Sequence, residues 1–422
     1  MRHLLSALFA LAAPPLFAAD TPKFKTQEID TGLKIGYAVI TADIDGDKKL
    51  DIAVVDQHKI VWYQNPGKPD AQWKKHVILD GKTRPDNVCI AAIDIDGDGL
   101  PELVVGAAWK PFDTANAAQL VWLKRGKSVT DEWTMHELPC DEPTVHRVRV
   151  FDIDGDGKPE IVHVPLMGRG SSAKGNWTDG KPARIIALKV PAKEPEKKGN
   201  WKTEVLSEEL NVCHNFCLDN EVFSTEGRGP HFLAQILVTS YEGVHRLTRA
   251  KDTWTTTKIG AGNQANPKSN RGASEIKVGR VGAGIGTIAT IEPWHGNQVV
   301  TYTPPARAGE KLWERHVIDE QLRWGHAVWF ADLDGDKVDE LIIGVRDDPN
   351  PKMGDTFKER RGVRVYKCTD GKGARWERTI LDDGGVAVED LTAADLDGDG
   401  KVDIIAVGRA TGNCRIYWNQ GK

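Results

Sequence analysis

Residues 331–344 read ADLDGDKVDELIIG: a short lead, carboxylates crowded around a glycine, then an unbroken apolar run. That is strand, tight acidic turn, strand. The unit recurs as ADIDGDKKLDIAVV (42–55), IDIDGDGLPELVVG (93–106), FDIDGDGKPEIVHV (151–164) and ADLDGDGKVDIIAVG (394–408). Between the first aspartates, Asp43, Asp94, Asp152, Asp332 and Asp395, the steps are 51, 58, 180 and 63 residues. The long step leaves room for three periods, hence two degenerate repeats. Both can be found: HNFCLDNEVF (214–223) leading into FLAQILVTSYEGVHRL (232–247), and SEIKVGRVGAGIGTIATIEPWHGNQVVTY (274–302), where glycines replace the carboxylates.

A second marker recurs in antiphase, an aromatic residue followed five positions later by Ile or Leu: Phe24/Ile29, Trp73/Ile78, Trp133/Leu138, Trp201/Leu206, Trp254/Ile259, Trp313/Ile318 and Trp376/Leu381. Seven of one marker match seven of the other. Each period reads as two strands flanking the acidic loop, a third strand (VWYQN, VWLKR, RVYK, IYWN) and a fourth carrying the aromatic residue. Four short strands repeated radially describe an all-β propeller, here seven-bladed. The chain begins with a fourth-type strand and ends with the first three, so the N-terminal strand is expected to complete the last blade and cover the sheet edges at the join.

The first nineteen residues, MRHLLSALFALAAPPLFAA, have a basic start, a short apolar run and an alanine-rich end, the pattern of a secretory signal peptide. The expectation is a signal at 1–19, a single propeller domain at 20–422, and a secreted or periplasmic location. No later apolar run is long enough to span a bilayer, and 56 basic against 61 acidic residues offer no electrostatic footprint for nucleic acid or a membrane surface. Six cysteines are too few for a disulfide scaffold in a chain this long, and leave room for one or two bridges. Composition says nothing of oligomeric state.

Five loops place carboxylates at relative positions 1, 3, 5 and 9: Asp43/Asp45/Asp47/Asp51, Asp94/Asp96/Asp98/Glu102, Asp152/Asp154/Asp156/Glu160, Asp332/Asp334/Asp336/Glu340 and Asp395/Asp397/Asp399/Asp403. A hard cation taking six to eight oxygens suits this set, so calcium with a structural role is expected. An EF-hand is excluded, since its loop needs a glutamate at position 12 and flanking helices. The repeats resemble the FG-GAP/VCBS family of calcium-loop propellers, a likeness specific for fold and poor for function.

Strand direction puts the acidic loops on one face and the other connections on the opposite face. Six residues before each loop lies the start of the innermost strand: Tyr37, Val88, His146, His214, Ala273, His326 and Glu389. Three histidines at one equivalent position suggest a ring at the channel mouth. His146, His214 and His326 suit a three-imidazole metal site, zinc being the natural ion, or metal-free acid/base chemistry. His76, His136 and His316 share an outer-strand position and His163 is placed just after a second-type strand; all four carry little functional weight. Around the ring the connections bring Tyr241, Trp294, His295, Trp324, Arg346, Asp347, Arg409 and, from the incoming side, Glu275. Aromatic rings beside arginines and carboxylates describe a carbohydrate-binding surface.

GASEIKVG (272–279), IATIEPWHGNQVV (288–300), RWGHAVWFADLDGD (323–336) and GVAVEDLTAADLDGDGK (385–401) resemble the propeller domain of the aldos-2-ulose dehydratase family. The resemblance implies β-elimination of water from a keto-sugar such as 1,5-anhydrofructose. For that chemistry the residues at the mouth are expected to divide the work, proton transfer to His295 or Glu389, a divalent metal to His146, His214 and His326, and substrate anchoring to Tyr241, Trp294, Arg346 and Asp347, with Trp324, Arg409 and Glu275 nearby. The competing readings are a non-catalytic glycan- or protein-binding propeller and a polysaccharide lyase acting on uronates.

Overall fold

A computed structural model describes residues 22–219, 235–282, 285–307, 309, 311–346 and 361–422. The signal-peptide expectation (1–19), parts of the fourth repeat, and Asp347 with its loop lie outside the described residues. The chain enters as β1 (Phe24–Asp30). Blade one is β2 (Ala38–Ala42), β3 (Asp51–Val55), β4 (Lys59–Gln64) and β5 (Lys74–Asp80); blade two is β6 (Cys89–Ile93), β7 (Glu102–Ala107), β8 (Gln119–Lys124) and β9 (Thr134–Glu137). Blade three is β10 (Val145–Phe151), β11 (Glu160–Pro165), β12 (Ala183–Lys189) and β13 (Lys202–Leu210); blade four is β14 (Phe216–Leu218), β15 (Gln235–Ser240), β16 (Gly243–Ala250) and β17 (Thr253–Gly260). Blade five is β18 (Ile276–Val281), β19 (Ile285–Glu292), β20 (Gln298–Thr303) and β21 (Glu314–Asp319); blade six is β22 (Gly325–Ala331), β23 (Glu340–Val345), β24 (Gly362–Cys368) and β25 (Trp376–Ile380). The seventh sheet is β26 (Val388–Ala394), β27 (Asp403–Gly408), β28 (Cys414–Asn419) and β1, which pairs antiparallel with β28 from Phe24↔Asn419 to Asp30↔Cys414. The chain is thus a seven-bladed propeller of four-stranded antiparallel blades. No helix among the described residues is long and apolar enough to cross a membrane.

Burial explains why the second strands read as continuous apolar runs. Both faces of β3, β7, β11, β23 and β27 are covered by neighbouring blades, and every residue in them is buried. Removing one such aliphatic side chain from water contributes roughly 1.5–3 kcal/mol. The third strands carry wide anchors: Trp62 and Trp122 are fully buried, with His76 and His136 stacked on them at 4.5 and 4.6 Å between ring centroids. His316 instead meets Thr303 Oγ1 at 3.0 Å. No disulfide joins any of the six cysteines, so the expected room for bridges is unused.

The acidic loops share one hydrogen-bond scheme. The position-1 aspartate accepts from the backbone N–H at positions 4 and 6, as Asp94 does from Gly97 at 2.7 Å and Gly99 at 2.9 Å, and Asp395 from Gly398 at 2.8 Å and Gly400 at 2.9 Å. The position-9 carboxylate reaches back to the N–H at position 2, as Glu102 does to Ile95 at 2.9 Å. Position 4 is left-handed in every loop (Gly46, Gly97, Gly155, Gly335, Gly398; φ 76–82°), which favours glycine. Position 6 is left-handed too, yet Lys48 (φ 69°) and Lys337 (φ 70°) occupy it in two loops.

Among the four carboxylates expected of each loop, position 5 is set apart. In the first three loops the oxygens gathered within 4.8 Å of one another belong to positions 1, 3 and 9: Asp43/Asp45/Asp51, Asp94/Asp96/Glu102 and Asp152/Asp154/Glu160. Asp47, Asp98, Asp156, Asp336 and Asp399 at position 5 are all exposed, as Asp94 and Asp96 of the second loop also are. Each spends one oxygen on the N–H two residues on, at 2.9 Å for Lys49, 2.8 Å for Leu100, 2.8 Å for Lys158, 2.9 Å for Val338 and 2.9 Å for Lys401. The other oxygen turns to a cation: Asp98 to Arg125 at 2.8 Å, Asp156 to Lys189 at 3.1 Å, Asp336 to Lys367 at 3.4 Å, and Asp47 and Asp399 to Lys49 and Lys401. Position 3 is also partly committed. Asp397 Oδ1, half-buried in the last loop, accepts from Asp399 N at 3.2 Å, as Asp334 does from Asp336 N at 3.2 Å.

Buried histidines set an acid limit on the fold, and His245 is one that lies outside the channel mouth. His245 in β16 is 5 % exposed, and burial pushes its pKa down to about 4. A folded-state value below the unfolded one (~6.5) means that the unfolded chain takes up the proton first, so stability present above pH ~6.5 is lost as pH falls toward 4. Over that window the loss is on the order of 3 kcal/mol. A His245→Leu variant should show a correspondingly flatter urea-stability profile between pH 7 and pH 4.5; parallel profiles would reject this assignment.

Candidate functional site

The first strands begin at the channel mouth, and three of them are bulged at the residue that matters. In β10 the register steps from Val145↔Pro165 to Arg147↔Val164, in β22 from Gly325↔Val345 to Ala327↔Gly344, and in β26 from Val388↔Gly408 to Asp390↔Val407. The extra residues are His146, His326 and Glu389. A bulge re-aims the side chain it carries. Two residues before each ring histidine the backbone is left-handed at a non-glycine residue: Thr144 (φ 49°), Val212 (φ 51°) and Trp324 (φ 62°). Such conformations cost roughly 1–3 kcal/mol each and concentrate at functional sites.

The side chains so aimed converge. The nitrogens of His214, His295 and His326 lie within 4.8 Å of one another. His214 Nε2 and His295 Nε2 face each other at 2.7 Å. His146 packs beside them, its ring 4.5 Å from that of His214 and its Nδ1 2.7 Å from the His214 carbonyl oxygen. His295 therefore takes the place in the trio that the sequence reading gave to His146. Its reach comes from a left-handed backbone (φ 51°) on the connection between β19 and β20, invisible in the repeat.

Partners on the far nitrogens fix the tautomers. His326 Nδ1 lies 2.6 Å from the Glu389 carbonyl oxygen and His146 Nδ1 on that of His214, so both carry their proton on Nδ1. His214 Nδ1 is 2.8 Å from Glu275 Oε1. His146 and His326 thus present Nε2 lone pairs to the mouth, while the Nε2 atoms of His214 and His295 share one N–H between them. Burial, reinforced by neighbouring charges such as Arg147 and Arg346, pushes the pKa of all four histidines well down, so they are neutral at pH 7. A neutral trio of borderline nitrogen donors, with the outer nitrogens of His214 and His326 oriented by oxygens, fits a divalent metal of the zinc type.

Two expected roles change. Glu275 is 2 % exposed and held by Arg147 at 3.4 Å and by the Asn215 amide, so it orients His214 from behind instead of lining the surface. Glu389 accepts from Arg346 Nη1 at 3.1 Å and Arg409 Nη1 at 3.0 Å. Burial alone would raise its pKa, but the two guanidinium groups outweigh it and hold the carboxyl below its ordinary range. A carboxylate so clamped is a poor base.

The wall is aromatic. Trp294 stacks on His295 at 4.4 Å, Trp324 lies 5.5 Å from the same ring, Trp109 sits 5.0 Å from His146, and Tyr241 meets Trp294 edge-on at 6.2 Å. The Arg346 guanidinium covers Trp324 at 4.8 Å and Arg409 covers Tyr37 at 5.1 Å. Other connection residues do structural work: Asp56 caps the N–H groups of Lys34 and Ile35, Asn87 donates to the Asp56 carbonyl, and Glu242 holds Asn211. Below the mouth runs a charged column that the repeat count passed over, Arg147, Arg149, Lys277 and Asp390. Asp390 Oδ2 accepts from Val39 N at 3.1 Å, and Lys277 lies 3.8 Å over Trp329, its pKa pushed down to about 7 by burial and then by Arg149. The arginines interrupting VHRVRV on an innermost strand were the available signal.

Residues 117–305 match the family described as aldos-2-ulose dehydratase, beta-propeller domain, and residues 43–105 match an FG-GAP-like repeat. The aldos-2-ulose dehydratase of Phanerodontia chrysosporium is 26% identical over 362 residues, covering 82% of this chain; the match spans 37% of that protein's length. Among solved structures, BBS1N in complex with ARL6DN superposes with a TM-score of 0.50 at 13% identity, covering 94% of this chain and 96% of that one. A Trichoderma reesei carbohydrate-active enzyme of family AA12 gives 0.47 at 10% identity, covering 98% and 100%. The chain is a propeller that resembles, over residues 117–305, the β-propeller domain of aldos-2-ulose dehydratase and, over residues 43–105, an FG-GAP-like repeat.

Proposed function

We propose that this chain is an exported carbon–oxygen lyase that removes water, or a glycosyl group, from a keto-sugar such as 1,5-anhydrofructose or a 3-keto-glycoside. The observation that carries the proposal is the convergence of four neutral histidines inside an aromatic wall, beside the likeness to a dehydratase propeller. His214, His295 and His326 would hold a divalent metal, zinc by donor type, whose contribution when bound is to polarise a carbonyl oxygen. A keto group acidifies the neighbouring C–H. His146, neutral and with its Nε2 lone pair fixed, accepts that proton, the C–O bond at the β-carbon breaks, and the proton passes from His146 to the departing oxygen, giving an enone and water or an alcohol. Trp294, Trp324 and Tyr241 stack on the sugar's CH faces, and Arg346 and Arg409, fixed by Glu389, orient its hydroxyls.

The acidic loops are proposed to hold structural calcium on the opposite face, chiefly through positions 1, 3 and 9. Glu160 Oε1 and Glu340 Oε1 are buried without a hydrogen bond, and the position-9 carboxyls of all five loops have pKa values pushed up to about 7 by burial, groups that a cation would satisfy. In three loops a lysine from the third strand competes for that place: Lys124 is 3.4 Å from Asp96, Lys189 2.6 Å from Asp154, and Lys367 touches Asp334. Asp98 and Asp336 join the ion once Arg125 and Lys367 swing away, whereas Asp397 has a free approach from its second oxygen in a loop whose third strand supplies no such lysine. Incubation with either keto-sugar should produce ultraviolet enone absorbance, and metal analysis should find a divalent ion besides calcium. Tight sugar binding without any enone would replace this reading with a binding propeller.

A further inference from the structure

His163 was expected just after a strand and of little consequence. It lies inside β11, paired across to Val148 and Ile186, and is wholly buried. Neither of its ring nitrogens has a hydrogen-bond partner. A buried imidazole must carry at least one N–H, and leaving it unpaired costs about 1–3 kcal/mol. Two further groups approach from the connection between blades two and three: Cys140 Sγ and a Glu142 carboxylate oxygen lie, with a His163 nitrogen, within 4.8 Å of one another. Glu142 is itself buried, held by Arg184 and by the backbone N–H of Asp141 at 3.0 Å. Cys140 Sγ makes only a long contact of 3.8 Å, to the Glu142 carbonyl oxygen.

We propose that Cys140, Glu142 and His163 form a second metal site, for a thiolate- and imidazole-preferring divalent ion such as zinc, separate from the histidine centre. Sulfur, nitrogen and carboxylate oxygen are the mixed donor set of such ions. With bonds of about 2.0–2.3 Å, tetrahedral ligand atoms stand roughly 3.3–3.7 Å apart, so a contraction of no more than about 1.5 Å completes the site. Entry is from a cleft of about 420 Å³ bordered by Asp141, Glu142, Pro143 and Arg184. Binding replaces the Cys140 S–H bond by a sulfur–metal bond, the proton leaving to solvent with no change of oxidation state. The ion ties the incoming connection to the second strand of blade three, two residues before Thr144 and four before the bulged His146. It acts as a staple behind the channel mouth.

Cobalt substitution tests this, because a cobalt–thiolate bond absorbs in the near ultraviolet and the histidine centre contains no thiol among its converging donors. Metal-stripped full-length protein titrated with Co²⁺ should develop that charge-transfer band. Cys140→Ser should abolish it and bind one cobalt fewer, whereas Cys217→Ser should keep both. His163→Gln should also lose the band; since that side chain is deeply buried, the conclusion rests on Cys140→Ser, checked for native circular dichroism. No band in the parent protein, or a band that survives Cys140→Ser, overturns the proposal.

Discussion

His214→Ala should abolish enone formation, a fall of at least about 10³-fold, and should empty the channel mouth of its divalent ion while leaving the acidic loops on the far face unaffected. The reason is position: His214 meets His295 nitrogen to nitrogen at 2.7 Å and its ring lies 5.4 Å from that of His326. Removing it leaves the trio with two members. His146→Ala separates the two jobs, since its loss should lower turnover by about 10²–10⁴-fold yet retain the ion. The check is paired metal content and turnover for both variants. If His146→Ala loses the ion and a His295→Ala variant keeps it, the sequence-based trio is right and the geometric one wrong.

The second large effect is on stability. Glu389→Ala strands Arg346, 8 % exposed, and leaves Arg409 without its carboxylate. Breaking a buried ion pair by removing one partner costs about 3–5 kcal/mol, and because Arg409 is about one-third exposed (34%) the lower end applies. Urea unfolding should show the loss, and the double variant Glu389→Ala with Arg346→Met should recover part of it. A Glu389→Ala protein as stable as its parent would mean that solvent already neutralises the arginines.

The blades were legible because each advertises itself twice, by an acidic turn and by an aromatic residue on the outer strand. Where glycines had replaced the carboxylates, as before β19, the Trp254 and Trp313 markers still bracketed the blade. Counting back from the loops found the ring, since a first strand's length is set by the sheet it pairs in; Tyr37, Val88, His146, His214, Ala273, His326 and Glu389 are all buried at the strand starts. What counting did not supply was direction. Whether a ring side chain points at its neighbours depends on bulges and left-handed residues, and Thr144 and Val212 are residue types that give no hint of them. The same gap affects the acidic loops: even spacing made Asp98 and Asp336 look equivalent to Asp94 and Asp332, but the cations that draw them outward, Arg125 and Lys367, come from beyond the loop. Glu389 read as a proton-transfer group and Glu275 as a substrate contact because the arginines that hold them come from other strands. His163 escaped notice for a related reason: its partners, Cys140 and Glu142, arrive from the preceding repeat.

The pairing of β1 with β28 also has a mechanical meaning. Phe24 lies opposite Asn419, and the ladder runs from there to Asp30 opposite Cys414. Tension applied between residues 24 and 419 therefore pulls across the ladder from one end, so its rungs break one after another, as in a zipper. The opposite arrangement, with force along the strands, would load every rung together. The seventh sheet is the seam at which a pulled molecule should open first, and at low force.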